Sequence, residues 1–153
     1  MQPNSFIKTL SLIHLSLCAS IGFFAGFAFV QNGSFSTSNN QNSIFIYLIP
    51  IVAMAGYFAS KFVYQNLIKN FPKEEPLSKK LQRYQIANIF KYALLEGPAI
   101  LALVIYYNEG NALYLVIAIC LLAYLLFQKP KLEKLKSELP LSLEEEKEFD
   151  TLN

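Results

Sequence analysis

From Tyr84 to Tyr107 the chain reads YQIANIFKYALLEGPAILALVIYY, an apolar run with one carboxylate, Glu96, in its middle and Gly97-Pro98 directly after it. A helix of about 20 apolar residues is long enough to cross the hydrocarbon of a bilayer. Glycine and proline are the two residues that most disfavour a helix interior. A carboxylate deep in hydrocarbon is expensive, so its neighbours must shield it, pair it or bring water to it. The stretch therefore reads as one membrane-crossing helix around which other helices have to pack.

The rest of the chain is of the same kind. It is 54% hydrophobic and 16% charged, against roughly 25% charged in soluble domains. The net charge of +2 implies no nucleic-acid partner. Cys18 and Cys120 lie inside apolar segments and read as small packing residues. His14 is the only histidine, so a multi-His metal site is excluded. No nucleophile elbow, phosphate loop, metal-ligand cluster or zinc-protease helix occurs. The expectation is a protein that is not an enzyme and uses no metal or cofactor.

The first apolar segment runs from Phe6 to Val30. It is longer than the apolar part of a signal peptide, and no small-x-small cleavage site follows it. Leu17 is too bulky to precede Cys18 in a lipoprotein cleavage box. His14, Cys18, Gly22 and Gly26 fall four apart and share one helix stripe. Gly22 and Gly26 form a GxxxG pair, which predicts a close helix approach. His14 is expected neutral and hydrogen-bonded, with a proton relay as its sharper role.

Gln31 to Ser43 is a polar loop, and Ser43 reads as an N-cap. The second segment runs from Ile44 to Ser60 and continues as helix to Ile68. Ala53, Gly56 and Ser60 give it a small-residue packing face. After a turn over 70–77, Ser78 is expected to cap the long third helix, with Lys79, Lys80 and Arg83 as a basic collar. On that helix Gln85, Asn88, Tyr92 and Glu96 make one polar stripe. Lys91 points elsewhere and is expected to snorkel to the headgroups. Asn111 caps a fourth segment, Ala112 to Phe127, which is a thin span. Residues 1–128 thus form a transmembrane domain and 129–153 a charged cytoplasmic tail. In that tail Ser142 and Glu145 have capping-box spacing, and solvation is the expected state of the segment.

All 13 Lys and Arg residues fall on the N-terminus, the second connection with its helix ends, and the tail. Positive charge beside spans stays cytoplasmic. The consistent solution is an all-α bundle of four transmembrane helices with both termini inside, multi-pass in a bacterial inner membrane. The chain is similar to the small four-span proteins of such membranes.

The stretch Lys80-Leu81-Gln82 followed by Ala93-Leu94-Leu95-Glu96-Gly97-Pro98-Ala99-Ile100-Leu101-Ala102-Leu103-Val104-Ile105 resembles the second helix of the proteolipid subunit c of rotary ATPases. Asn70-Phe71-Pro72-Lys73-Glu74 resembles that family's polar loop. The resemblance implies that Glu96 binds and releases a transported proton. Where the family's preceding helix is glycine-rich, this chain carries Tyr47, Tyr57, Phe58, Phe62 and Tyr64.

Two main functional expectations follow, with a lipid-modifying enzyme ranked below them. The first is a non-enzymatic membrane protein packed with itself or within a larger complex, with Gly22, Gly26, Gly56, Gly97 and Pro98 at helix contacts. The second is a proton or ion pathway, with Glu96 as carrier and Tyr92, Asn88, Gln85 and His14 along the route. In either, Glu96 buried without a cation is expected to be protonated, because desolvation disfavours the charged form. The charge map is checked by thiol labelling of intact cells. Cysteines at Ser38 and Asn111 should react with an impermeant reagent and one at Ser78 should not; the reverse pattern would overturn the topology.

Overall fold

The computed structural model describes residues 3–33, 35, 43–69, 75–142 and 145. Five helices follow one another: α1 Pro3–Asn32, α2 Phe45–Lys69, α3 Leu77–Glu109, α4 Ala112–Phe127 and α5 Leu132–Glu138. There is no strand among the described residues. Three helices are long and apolar enough to cross a membrane, and a fourth if α4 and α5, bent by 77° at their break, count as one span. The loop of the sequence reading lies largely outside the described residues, as does most of the turn before α3.

α3 is the axis of the bundle. It packs against α1, α2 and α4, while α1 and α2 hardly meet. Its buried face runs through Leu81, Tyr84, Ala87, Leu95, Ala99, Ala102, Leu103 and Tyr106. Successive helices reverse direction, as the contacts at the two ends show. At one end Asn32 of α1 donates to the Tyr106 carbonyl at 2.9 Å. There Glu109 accepts from Ser43 before α2 at 2.8 Å and from Tyr114 of α4 at 3.0 Å. At the other end Phe6 packs on Tyr84 with ring centroids 6.4 Å apart.

The connections follow their local chemistry. Gly110 sits at φ 71° after α3 and returns its N–H to the Tyr106 carbonyl, the left-handed cap that glycine adopts without strain. Asn111 then caps α4, accepting from the Leu113 N–H at 3.0 Å. Pro130 follows α4 closely; its missing N–H and its restriction of Lys129 end the helix. Ser78 is not the cap it was expected to be. α3 starts two residues earlier, at Leu77 behind Pro76 in extended backbone, and has no side-chain cap.

The close approach expected at Gly22 and Gly26 is not made within this chain. A Cβ on Gly22 would reach Leu122 only at 4.0 Å, and one on Gly26 or Gly97 would meet nothing within 4 Å. The tight contact is at Gly56, where a Cβ would lie 2.6 Å from both the Leu94 carbonyl oxygen and Pro98 Cγ. The reason lies in α3: Pro98 has no N–H, so the Leu94 carbonyl loses its helical donor. Gly56 lets the α2 backbone come up against that carbonyl and the proline ring. Apolar side chains cover the outside, among them Phe23 at 80% exposure and Phe62 at 66%. Lipid tails satisfy such a surface and water does not.

Gly56→Ala should therefore destabilise the bundle by about 1–3 kcal/mol through overpacking. Gly26→Ala should change it by less than about 0.5 kcal/mol. Thermal unfolding in detergent reads both, and equal midpoints for the two variants would remove the contact.

Candidate functional site

Glu96 lies 13 residues before the end of α3, about 20 Å of helix from that end, and so near the centre of a bilayer core. It is half-buried at the seam between α3 and α1. Its partner is Ser20 of α1, whose hydroxyl lies 2.9 Å from Glu96 Oε1 and 2.8 Å from the Leu17 carbonyl. Ser20 has one proton to give and a carbonyl can only accept. The hydroxyl is the donor in both contacts and divides its proton between Glu96 Oε1 and the Leu17 carbonyl. The Leu94 carbonyl faces Gly56 of α2.

The other polar residues of the stripe serve a different purpose. The last carbonyls of a helix have no intrahelical donors. His14 Nε2 lies 2.8 Å from the Leu125 carbonyl in the last turn of α4. Because a carbonyl only accepts, Nε2 carries the proton in this contact. Tyr92 shares its hydroxyl between the Gln128 carbonyl just after α4 and Asn88 Oδ1, each at 3.3 Å. Asn88 in turn donates to the Tyr84 carbonyl at 2.9 Å. The His14 ring meets the Tyr92 ring edge-on at 4.9 Å, and Cys18 Sγ lies 3.8 Å from His14 Nε2. His14, Tyr92 and Asn88 are therefore one buried cluster holding the end of α4. Among the described residues, no hydrogen bond joins that cluster to Gln85 on one side or to Glu96 on the other.

Lys91 does not snorkel. Only 4% of it is exposed. Its ammonium lies 4.3 Å from the Tyr64 ring centroid and 5.3 Å from that of Tyr92, so aromatic faces take the place of headgroup water. The Tyr64 hydroxyl donates to Glu138 of α5, and Lys134 lies 3.8 Å from the same carboxylate. Lys61, Gln65 and Gln128 complete the walls of the small cleft over this group.

The segment after α4, expected as a solvated tail, is held to this end of the bundle. Leu135 and Leu139 are buried in the core. Lys80, 2% exposed, donates to the Pro140 carbonyl at 2.8 Å and pairs with Glu145 at 2.9 Å. The Ser142 N–H donates to Glu145 at 2.8 Å and the Glu145 N–H to Ser142 at 3.3 Å, the reciprocal pair of a capping box. Partial burial pushes the Glu145 carboxyl up. The Ser142 N–H and the Lys80 ammonium outweigh that and hold it below its ordinary value. No group of three or more His, Cys, Asp or Glu able to hold a metal occurs among the described residues.

The class these features define is an all-helical chain with several helices long and apolar enough to cross a membrane. Compared with family models, curated proteins and solved structures, the chain matches none of them.

Since the folded-state value of Glu145 is depressed, its contribution to docking is present above its ordinary value of 4.5 and is lost as pH falls below it. Proteolysis of the segment after Pro130 should therefore accelerate below that pH. Lys80→Met should accelerate it at neutral pH and Lys69→Met should not. Identical cleavage rates for the two variants would show that Lys80 does not hold the tail.

Proposed function

We propose that this chain is a non-enzymatic, four-span protein of a bacterial inner membrane, with both termini cytoplasmic, whose role is packing and assembly with itself or within a larger membrane complex. The observation that carries this reading is the Ser20–Glu96 pair. Ser20 is exposed and Glu96 half-buried, so the pair is offered to whatever surrounds the bundle rather than sealed inside it. Polar groups at such a depth are costly against lipid. A polar side chain from a neighbouring transmembrane helix relieves that cost and contributes about 1 kcal/mol. The engagement of His14, Tyr92 and Asn88 with the end of α4 supports a structural role for the rest of the stripe.

A second reading is a proton pathway with Glu96 as carrier, as the resemblance to subunit c implies. It is favoured by the gathering of His14, Cys18 and Tyr92 about one turn from Glu96 along α3. Substitution of Glu96 separates the two. Glu96→Gln can still donate a hydrogen bond, and its assembly state in native mass spectrometry should be that of the wild type. Glu96→Leu should associate about fivefold more weakly, corresponding to the loss of one such bond. Under the proton reading, Glu96→Gln abolishes proton flux in proteoliposomes while leaving assembly intact. Wild-type assembly by Glu96→Leu would remove the first reading.

A further inference from the structure

The 77° bend between α4 and α5 brings the start of α5 beside the first half of α1. Two adjoining clefts open there, of about 490 and 540 Å³, and they share Ile7, Ser11 and Lys129. The outer one carries the ammonium groups of Lys129, Lys131 and Lys136, with Glu133 as its one acid. The inner one begins at Lys8 and continues down an apolar wall of Leu12, Leu15 and Leu126. From Ile7 to Leu15 the groove descends about 12 Å along α1. Its chemistry changes over that distance from cationic with a hydroxyl to mainly aliphatic, with His14 the one polar side chain between Leu12 and Leu15. Leu12 and Leu15 are 65% and 60% exposed, so the wall is open to the surrounding medium.

We infer that this α1–α4–α5 groove binds one anionic glycerophospholipid, with its phosphate among Lys8, Lys129 and Lys131 and an acyl chain along Leu12, Leu15 and Leu126. The order of the two chemistries is that of the lipid: a phosphate at the membrane surface and hydrocarbon below it. Basic pockets between spans at the end where positive charge collects are suited to such headgroups. Lys8, Lys129 and Lys131, three ammonium groups against the one carboxylate of Glu133, select a net negative headgroup over a zwitterionic one. Inorganic phosphate or an acidic peptide would use the rim and leave the aliphatic wall uncovered. Ser11 lines both clefts, at the level where a glycerol or phosphate oxygen would sit. The inference rests on the helices lying in a bilayer. That premise fails separately, if the purified protein stays monodisperse without detergent.

The test uses the full chain in a neutral detergent, titrated with phosphatidylglycerol, phosphatidylcholine or inorganic phosphate, with bound ligand counted by native mass spectrometry. One phosphatidylglycerol should be retained at concentrations where phosphatidylcholine is not. The double variant Lys129→Gln/Lys131→Gln should weaken retention about 25-fold, at about fivefold per lysine. Lys8→Gln, on a different helix and away from the bend, should weaken it about fivefold by the same measure. Lys69→Gln/Lys79→Gln removes the same charge from exposed positions elsewhere and should leave retention unchanged. The inference is overturned by any of three results: both groove variants retain the lipid as the wild type does, the control pair loses as much as the groove pair, or inorganic phosphate displaces the lipid at equal concentration.

Discussion

A backbone carbonyl freed from its helical donor has no water to turn to in hydrocarbon, so the protein itself must supply what faces it. That requirement explains more of this structure than any single side chain does. Pro98 frees the Leu94 carbonyl, and the α2 backbone comes up against it because Gly56 has no side chain in the way. α4 ends early; His14 joins the Gln128 N–H on the Leu125 carbonyl, and Tyr92 reaches the Gln128 carbonyl. At the opposite end the Tyr106 carbonyl takes both the Gly110 N–H and the Asn32 amide. The buried polar residues are largely placed where helices are interrupted or finish.

The same constraint accounts for the shape of the basic end. α4 has 16 residues, about 24 Å of helix, which is short of a bilayer core of about 30 Å. Its last turn therefore finishes inside the protein, and α5 folds across it with Leu135 and Leu139 buried. Tyr64, Lys91 and Glu138 fill the space beneath as a linked polar group. Lys80 fastens the chain beyond α5 by reaching Pro140 and Glu145. The short helix, the buried lysines and the docked tail are parts of one solution.

The helices were legible in the sequence because hydropathy and turn chemistry are local. Asn111 and Gly110 stop and start helices through atoms only a few residues away, and both do so here. The partners of the polar residues were not legible, because they depend on how one helix is registered against another. Nothing in LSLIHLSLCAS marks its last residue, Ser20, as facing Glu96 rather than lipid. The GxxxG spacing of Gly22 and Gly26 records only that two small residues share a face. It does not say what meets that face, and within this chain the contact fell to Gly56 instead. Pro98 held the missing signal: a proline in a long helix leaves a carbonyl behind, and a glycine on a neighbouring helix is the residue that lets a backbone approach it. The burial of Lys91 is illegible for a related reason, since snorkelling assumes that no aromatic face lies nearer than the headgroups, and those of Tyr64 and Tyr92 do.

The polar stripe on α3 is therefore two devices, although helical spacing presents it as one. Asn88 and Tyr92 turn toward α4 and are occupied by backbone groups. Glu96, one turn on, turns toward α1 and shares the outer seam with a single serine. Tyr92 passes a hydrogen bond to Asn88, and the cluster's other bonds run to the carbonyls of Gln128 and Tyr84. A carbonyl accepts and cannot relay. What distinguishes Glu96 from Asn88 and Tyr92 is thus its accessibility from outside the bundle. A half-buried acid offered there beside an exposed hydroxyl has the chemistry to meet a second membrane helix, and that is where the character of this protein is concentrated.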